Sequence, residues 1–225
     1  MKKQIAKLLL ILVALNVGLT ACAPSSRDQN KNQKPTEVAP SEQTLKVGDI
    51  IFHKSQSKQS KAIKEASQSE WTHVGILISK DGEWYVSEAI GPVVSTKLQD
   101  FINRGKDKEY KIYRFKYFDA ISMEDKLLEA IQKQNKAYDI YFEISDESTY
   151  CSELVYKAML EVTGHEVGSV QQFKDLKLSG PQVKALIKRR LTDKGRVLDP
   201  EEPIITPASQ MLDPNMTLIK ESLKK

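Results

Sequence analysis

Asp146-Glu147-Ser148-Thr149-Tyr150-Cys151-Ser152-Glu153-Leu154-Val155 changes character at Cys151. The residues before it are short, polar and suited to capping a helix. Those after it place Leu154, Val155, Ala158 and Met159 on one helical face, with Gly164 as a stop. The spacing predicts a helix from Cys151 to about Val162. Its first turn then carries a sulfur, where unsatisfied backbone N–H groups and the helix dipole favour a thiolate.

The chain holds one other cysteine, Cys22. Lys2, Lys3 and Lys7 precede an apolar stretch from Leu8 to Leu19, the layout of a secretory signal and short for a membrane span. The run Leu19-Thr20-Ala21-Cys22 that closes it resembles a bacterial lipoprotein processing site. Residues 1–21 are therefore expected to be a lipoprotein signal peptide, with palmitate-type lipid on Cys22; an uncleaved anchor is the alternative. Either way the body would lie in the cell envelope, on the exported side of the membrane. Ala23 rather than Asp follows Cys22, which favours the outer membrane where two membranes are present. A lipidated Cys22 cannot pair with Cys151, so one free thiol remains to be explained.

Residues 22–43 contain one Val and no aromatic residue, too little to build a core, and read as a flexible tether. Residues 44–225 suit a single domain with a full hydrophobic core. The formal charge of +4 shrinks once the signal's three lysines are set aside, leaving 31 basic against 30 acidic residues. Nucleic acid is excluded as a partner, because it needs clustered basic charge on one face. The tight basic run Lys188-Arg189-Arg190 reads as the solvated end of a helix.

Short apolar and alternating runs predict strands over 47–52, 73–78, 84–90, 93–96 and 110–115. Asp81-Gly82 between two of them is a hairpin signal. Helices are expected over 60–67, briefly over 98–102, from Ser122 with Ser122-Met123-Glu124-Asp125 as its cap, from Cys151, and over 183–191 before a Pro-rich tail. Strands early and helices late give an α+β class.

A thiol nucleophile needs a base in reach and a third group to hold that base. His73 opens a strand beside Gly75, and the hairpin partner of that strand carries Glu88. An acid within Tyr85-Val86-Ser87-Glu88-Ala89 either faces solvent or is buried with a partner. His53 and His165 read as structural or exposed. Tyr138, Tyr141 and Phe142 read as core or pocket wall. No HExxH, CxxC or paired-His spacing points to a metal, and no cofactor is expected.

Gly48-Asp49-Ile50-Ile51-Phe52, Thr72-His73-Val74-Gly75, Ser87-Glu88-Ala89-Ile90-Gly91-Pro92 and Tyr150-Cys151-Ser152-Glu153-Leu154-Val155 together resemble the YiiX/YebB-like (YaeF/YiiX) branch of the NlpC/P60 superfamily. The likeness runs in order through about residues 46–215, including Tyr138-Asp139 and Ile205-Thr206-Pro207. It implies a circularly permuted papain-like fold, an antiparallel sheet or barrel packed on helices with the cysteine at a helix N-terminus. It also implies cysteine hydrolase chemistry, with Cys151 as nucleophile, His73 as general base and Glu88 orienting the imidazole. The backbone N–H of Cys151 would serve the oxyanion. Asp49, Tyr150 and Glu153 are candidates for the substrate pocket, although Asp49 also reads as a strand-initiating cap, and Glu153 points away from Cys151 on a helix. The resemblance implies an amide substrate, such as a peptide or peptidoglycan fragment. The alternatives are a lipid or acyl-amino-acid substrate with hydrolysis or acyl transfer, and a non-catalytic ligand-binding lipoprotein on the same fold.

Overall fold

The structure, a computed structural model, describes residues 44–222; the signal peptide, Cys22 and the tether through residue 43 lie outside the described residues. The chain runs β1 (Ile50–His53), α1 (Ser60–Ser67), β2 (His73–Lys80), β3 (Glu83–Ala89), β4 (Val93–Lys97), α2 (Leu98–Arg104) and β5 (Tyr110–Phe115). It continues through α3 (Ala120–Lys133), β6 (Ala137–Tyr138), β7 (Ser148–Thr149), α4 (Cys151–Thr163) and β8 (Gln171–Gln172). It ends with α5 (Pro181–Arg190), β9 (Pro203–Ile204), α6 (Pro207–Met211) and β10 (Met216–Glu221).

Alternation along the strands splits the core between the two faces of one sheet. Six antiparallel strands lie in the order β10-β5-β1-β2-β3-β4. Ile50, Phe52, Val74, Ile76 and Ile78 face one way, against Leu127 and Ile131 of α3 and Val155, Ala158 and Met159 of α4. Ile51, Leu77, Val86 and Ile112 face the other way, where Phe101 of α2 covers them. Each fully buried side chain of this size contributes about 1.5–3 kcal/mol relative to exposure. The α+β class and the sheet-on-helix arrangement are thus observed, with the helix that begins at Cys151 seated directly on β2.

The hairpin between β2 and β3 turns on Asp81 and Gly82, at φ 52° and 78°. Two successive positive φ values match the right-handed twist of the flanking strands. The resulting register pairs Ile76 with Ser87 and Leu77 with Val86, which carries Glu88 alongside Gly75. A Cβ on Gly75 would fall 2.4 Å from Val86 Cγ1 and 2.8 Å from the Ser87 carbonyl oxygen, so only glycine fits this close approach.

Four expectations are corrected. β1 begins at Ile50 rather than Val47, because Gly48 sits in a turn at φ 84°. α3 begins at Ala120, not Ser122, because the Asp119 carboxylate accepts from the Ile121 and Ser122 N–H groups and caps the helix earlier. α5 starts two residues before Val183, with Pro181 in its first turn, where a missing N–H is harmless. The C-terminal segment is no tail: Met216–Glu221 returns as β10 and pairs with β5. As an edge strand with a register shift between Leu218 and Lys220, it lacks the clean alternation that marks its neighbours.

A smaller apolar layer lies beside the sheet, between α1, α5 and the segments around Phe173 and Ile204. Glu65 of α1 accepts from the N–H groups of Gln182 and Val183 at 2.9 and 3.1 Å, capping α5 from another helix. Among the described residues no helix is long and apolar enough to cross a membrane.

Candidate active site

Cys151 is the first residue of α4 and is buried, with its backbone N–H in the turn that has no intrahelical acceptors. Three neighbours fix this helix start. Glu153 accepts from Tyr150 N–H at 3.3 Å and Ser145 N–H at 3.0 Å, and pairs with Lys157 at 3.0 Å. The Tyr150 hydroxyl accepts from Ile205 N–H at 3.0 Å, while the Ser152 hydroxyl donates to the Ile205 carbonyl at 2.9 Å. Burial pushes the Glu153 carboxyl up, against the opposing pull of Lys157 and the two amides. Tyr150 and Glu153 thus flank the thiol as supports of the helix start, and Tyr150 also walls a cavity that reaches Cys151.

His73, at the start of β2, is hydrogen-bonded to both Cys151 and Glu88. Its Nε2 lies 2.6 Å from Glu88 Oε2, which leaves Nδ1 for the thiol. Burial opposes a charge on this ring. The hydrogen bond and charge of Cys151, followed by those of Glu88, outweigh that penalty and raise the imidazole to about 9. Cys151, His73 and Glu88 are therefore brought together in one line.

Glu88 is completely buried. Burial alone would raise its carboxyl, but hydrogen bonds from His73, Arg104 and Thr96 bring it down to about 2. Arg104 Nη2 lies 2.6 and 2.5 Å from the two carboxylate oxygens, and Thr96 Oγ1 donates to Oε1 at 2.5 Å. Sequence reading missed both partners. Arg104 ends α2 on the sheet face opposite the main helices, and nothing in its neighbourhood marks it as the counter-ion of an acid in β3.

His53 closes β1 opposite His73, with ring centroids 5.1 Å apart, and stacks on Phe101 at 4.3 Å. It is buried, and neither ring nitrogen has a hydrogen-bond partner. Burial, then the neighbouring charges of His73 and Arg104, lower it to about 3, so it stays neutral. His165 is exposed and stacks on Tyr117.

The structure does not bring Asp49 to this site. It lies at the far end of β1 from His53, where Arg114 grips both carboxylate oxygens at 2.8 Å and Lys46 N–H donates at 2.9 Å. Of the two readings of Asp49, the local cap describes its contacts; the pocket role does not.

Two cavities meet the catalytic line from different sides. One is lined by Cys151 and almost entirely by carbon, including Ala62, Phe142, Leu178, Val183 and Leu186. The other, an open cleft, is lined by His73, His53, Tyr138, Lys58, Arg104 and Arg189. Arg190 borders both and donates to the Ile140 carbonyl at 2.7 Å and to Gln59 Oε1, while Gln59 Nε2 donates to the Tyr138 hydroxyl at 2.6 Å. Tyr138 and Phe142 are pocket wall, as their sequence setting suggested. The basic run is only partly solvated, because Arg190 turns inward.

The chain matches, over residues 44–220, the family described as permuted papain-like amidase enzymes, YaeF/YiiX, C92. It is 36% identical over 174 residues to the uncharacterized protein YiiX of Escherichia coli strain K12, covering 77% of this chain and 85% of that protein. It also superposes on a crystal structure described as metalloprotein yiiX from Escherichia coli O157:H7. The TM-score is 0.73 at 35% identity, covering 80% of this chain and 98% of the other. Among the described residues here, no three His, Cys, Asp or Glu side chains are grouped to hold a metal ion, so this site does not fit one. The fold, the order His73, Glu88, Cys151 along the chain and the matches together place this chain in the permuted papain-like amidase family, YaeF/YiiX, C92.

Proposed function

We propose that this protein is a cysteine hydrolase of amides, with Cys151 as nucleophile, His73 as its proton partner and Glu88 as the group that orients the ring. The observation that carries this reading is the single imidazole bonded on one side to a helix-N-terminal thiol and on the other to a buried carboxylate. An imidazole raised to about 9 beside a thiol favours a resting thiolate–imidazolium pair.

The thiolate sulfur adds to the amide carbonyl carbon, and the oxyanion that forms accepts from the Cys151 backbone N–H. The C–N bond then breaks as His73 gives its proton to the leaving nitrogen, freeing an amine and leaving a thioester. Water adds to the thioester as His73 takes one of its protons. The C–S bond breaks, releasing a carboxylic acid and restoring the ion pair. An acyl acceptor other than water would make the same intermediate a transferase step.

The test is the rate of Cys151 alkylation by iodoacetamide against pH. The expected result is reaction well below pH 8 that slows in His73→Ala; the profile of an ordinary free thiol, unchanged by that substitution, would overturn the triad. Digestion of purified muropeptides and of acylated small molecules then sorts the amide class.

We further propose residues 1–21 as a lipoprotein signal peptide, residues 22–43 as a tether, and attachment to the envelope through lipid on Cys22. The run Leu19-Thr20-Ala21-Cys22 supports this reading. Labelled palmitate is expected to enter the wild-type chain and not Cys22→Ala; equal labelling of both overturns it.

A further inference from the structure

The two cavities divide the substrate, because the two ends of the catalytic pair touch different halves of it. In the chemistry proposed above, sulfur bonds to the acyl half and the imidazolium protonates the leaving half. The cavity lined by Cys151 therefore takes the acyl half, and the cleft lined by His73 takes the leaving half.

Their walls differ in kind. The acyl cavity runs between α1 and α5 through Ala62, Val183 and Leu186, with Phe142, Leu178 and Ile205 closing it near Cys151. Such a wall offers an acyl group nothing but carbon, so its selectivity is for buried methylenes. The cleft beside His73 is bordered by Lys58, Arg104, Arg189 and Arg190, with no Asp or Glu in its lining. Arg104 is held by Glu88, and Arg190 by Ile140 and Gln59. Lys58 and Arg189 are exposed and have no carboxylate partner among the described residues. Their charge is open to a ligand.

We infer that the substrate is an apolar acyl chain joined to an anionic leaving group, the chain lying in the cavity at Cys151 and the anion facing Lys58 and Arg189. This rests on the cysteine-hydrolase reading. The shared chemistry is a negatively charged leaving group. Its sources are the carboxylate of an N-acyl amino acid, where the C–N bond breaks, or the phosphate of an acyl phospholipid, where the ester C–O bond breaks and the alcohol leaves.

The experiment compares hydrolysis of N-dodecanoylglycine, N-dodecanoylglycinamide and N-acetylglycine below their aggregation concentrations. A parallel arm compares dioctanoyl phosphatidylglycerol with dioctanoyl phosphatidylcholine. The long chain is expected to raise kcat/KM over acetyl by at least about tenfold, since each buried methylene is worth roughly a fourfold gain. The anion is expected to raise it by about tenfold over the neutral analogue, and that preference to fall with added salt. The Lys58→Ala/Arg189→Ala double variant should lose the charge preference and keep the chain preference. Leu186→Trp, which fills the cavity, should do the reverse. Preference in the glycine arm assigns the carboxylate source, and preference in the lipid arm assigns the phosphate.

Equal rates for the charged and neutral members of both arms, or for acetyl and dodecanoyl, overturn the inference. So does the absence of any hydrolysis while Cys151 alkylation keeps its dependence on His73. Alkylation that ignores His73 instead brings down the reading beneath it, which separates the two failures.

Discussion

Arg104 Nη2 lies within 2.6 Å of both carboxylate oxygens of Glu88, so the acid that bonds His73 is itself held by a cation from α2. Every oxygen lone pair that matters is occupied: Oε1 by Thr96 and Arg104, Oε2 by His73 and Arg104. A completely buried carboxylate is tolerable only with such partners. The arrangement fixes the ring of His73 from behind while its other nitrogen faces sulfur.

Opposite shifts are expected from the two ends of this chain of charges. Glu88→Gln removes the anion that helps raise His73 to about 9, so the alkaline limb of Cys151 alkylation should move to lower pH. Turnover should fall on the order of a hundredfold or more. Arg104→Gln keeps the anion and removes a cation, so the same limb should move to higher pH. Shifts in the same direction would refute the arrangement.

His53→Phe should keep or raise stability at neutral pH, because two buried ring nitrogens without partners are replaced by carbon on the same aromatic stack. The acid side is sharper. His53 is lowered from 6.5 to about 3, so below pH 6.5 the unfolded chain binds a proton that the folded chain does not. Stability is therefore lost as pH falls toward 3, by up to ~1.4 kcal/mol per pH unit for this group. Urea midpoints for wild type and His53→Phe should diverge from pH 6.5 downward. Parallel curves would show that His53 is not held neutral.

Gly75→Ala should separate β2 from β3. The added carbon meets Val86 Cγ1 and the Ser87 carbonyl at 2.4 and 2.8 Å, and backbone cannot step aside as a flexible side chain does. A loss of about 1–3 kcal/mol is expected, read as a lower denaturation midpoint. Cys151 alkylation in the folded variant should slow as well, because Glu88 sits alongside the displaced pair. Wild-type stability in this variant would show that the strands are not in such close contact.

Asp49→Asn should act on stability alone. It loosens a buried pair whose arginine is mostly covered, so a loss of about 2–4 kcal/mol is expected. The alkylation profile of Cys151 should match wild type, since Asp49 borders neither cavity at the thiol and imidazole. A changed profile with unchanged stability would return Asp49 to the pocket.

Local chemistry and short-range pattern carried much of this protein into view. The polar run ahead of Cys151 forecast a helix beginning there, because capping and apolar spacing act within one or two turns. Asp81-Gly82 forecast the hairpin, and the hairpin's register set Glu88 alongside Gly75 and within reach of His73. Arg104 and Thr96 were not legible, because their carboxylate partner lies on another element and no periodicity links them. β10 escaped for a related reason, since an edge strand buries too little to alternate cleanly. The division into an apolar cavity at sulfur and a cationic cleft at the imidazole arose only once α1, α4, α5 and the loop through Phe142 had packed. Helix starts and turns depend on neighbours along the chain, whereas cavities and counter-ions depend on which surfaces folding brings together.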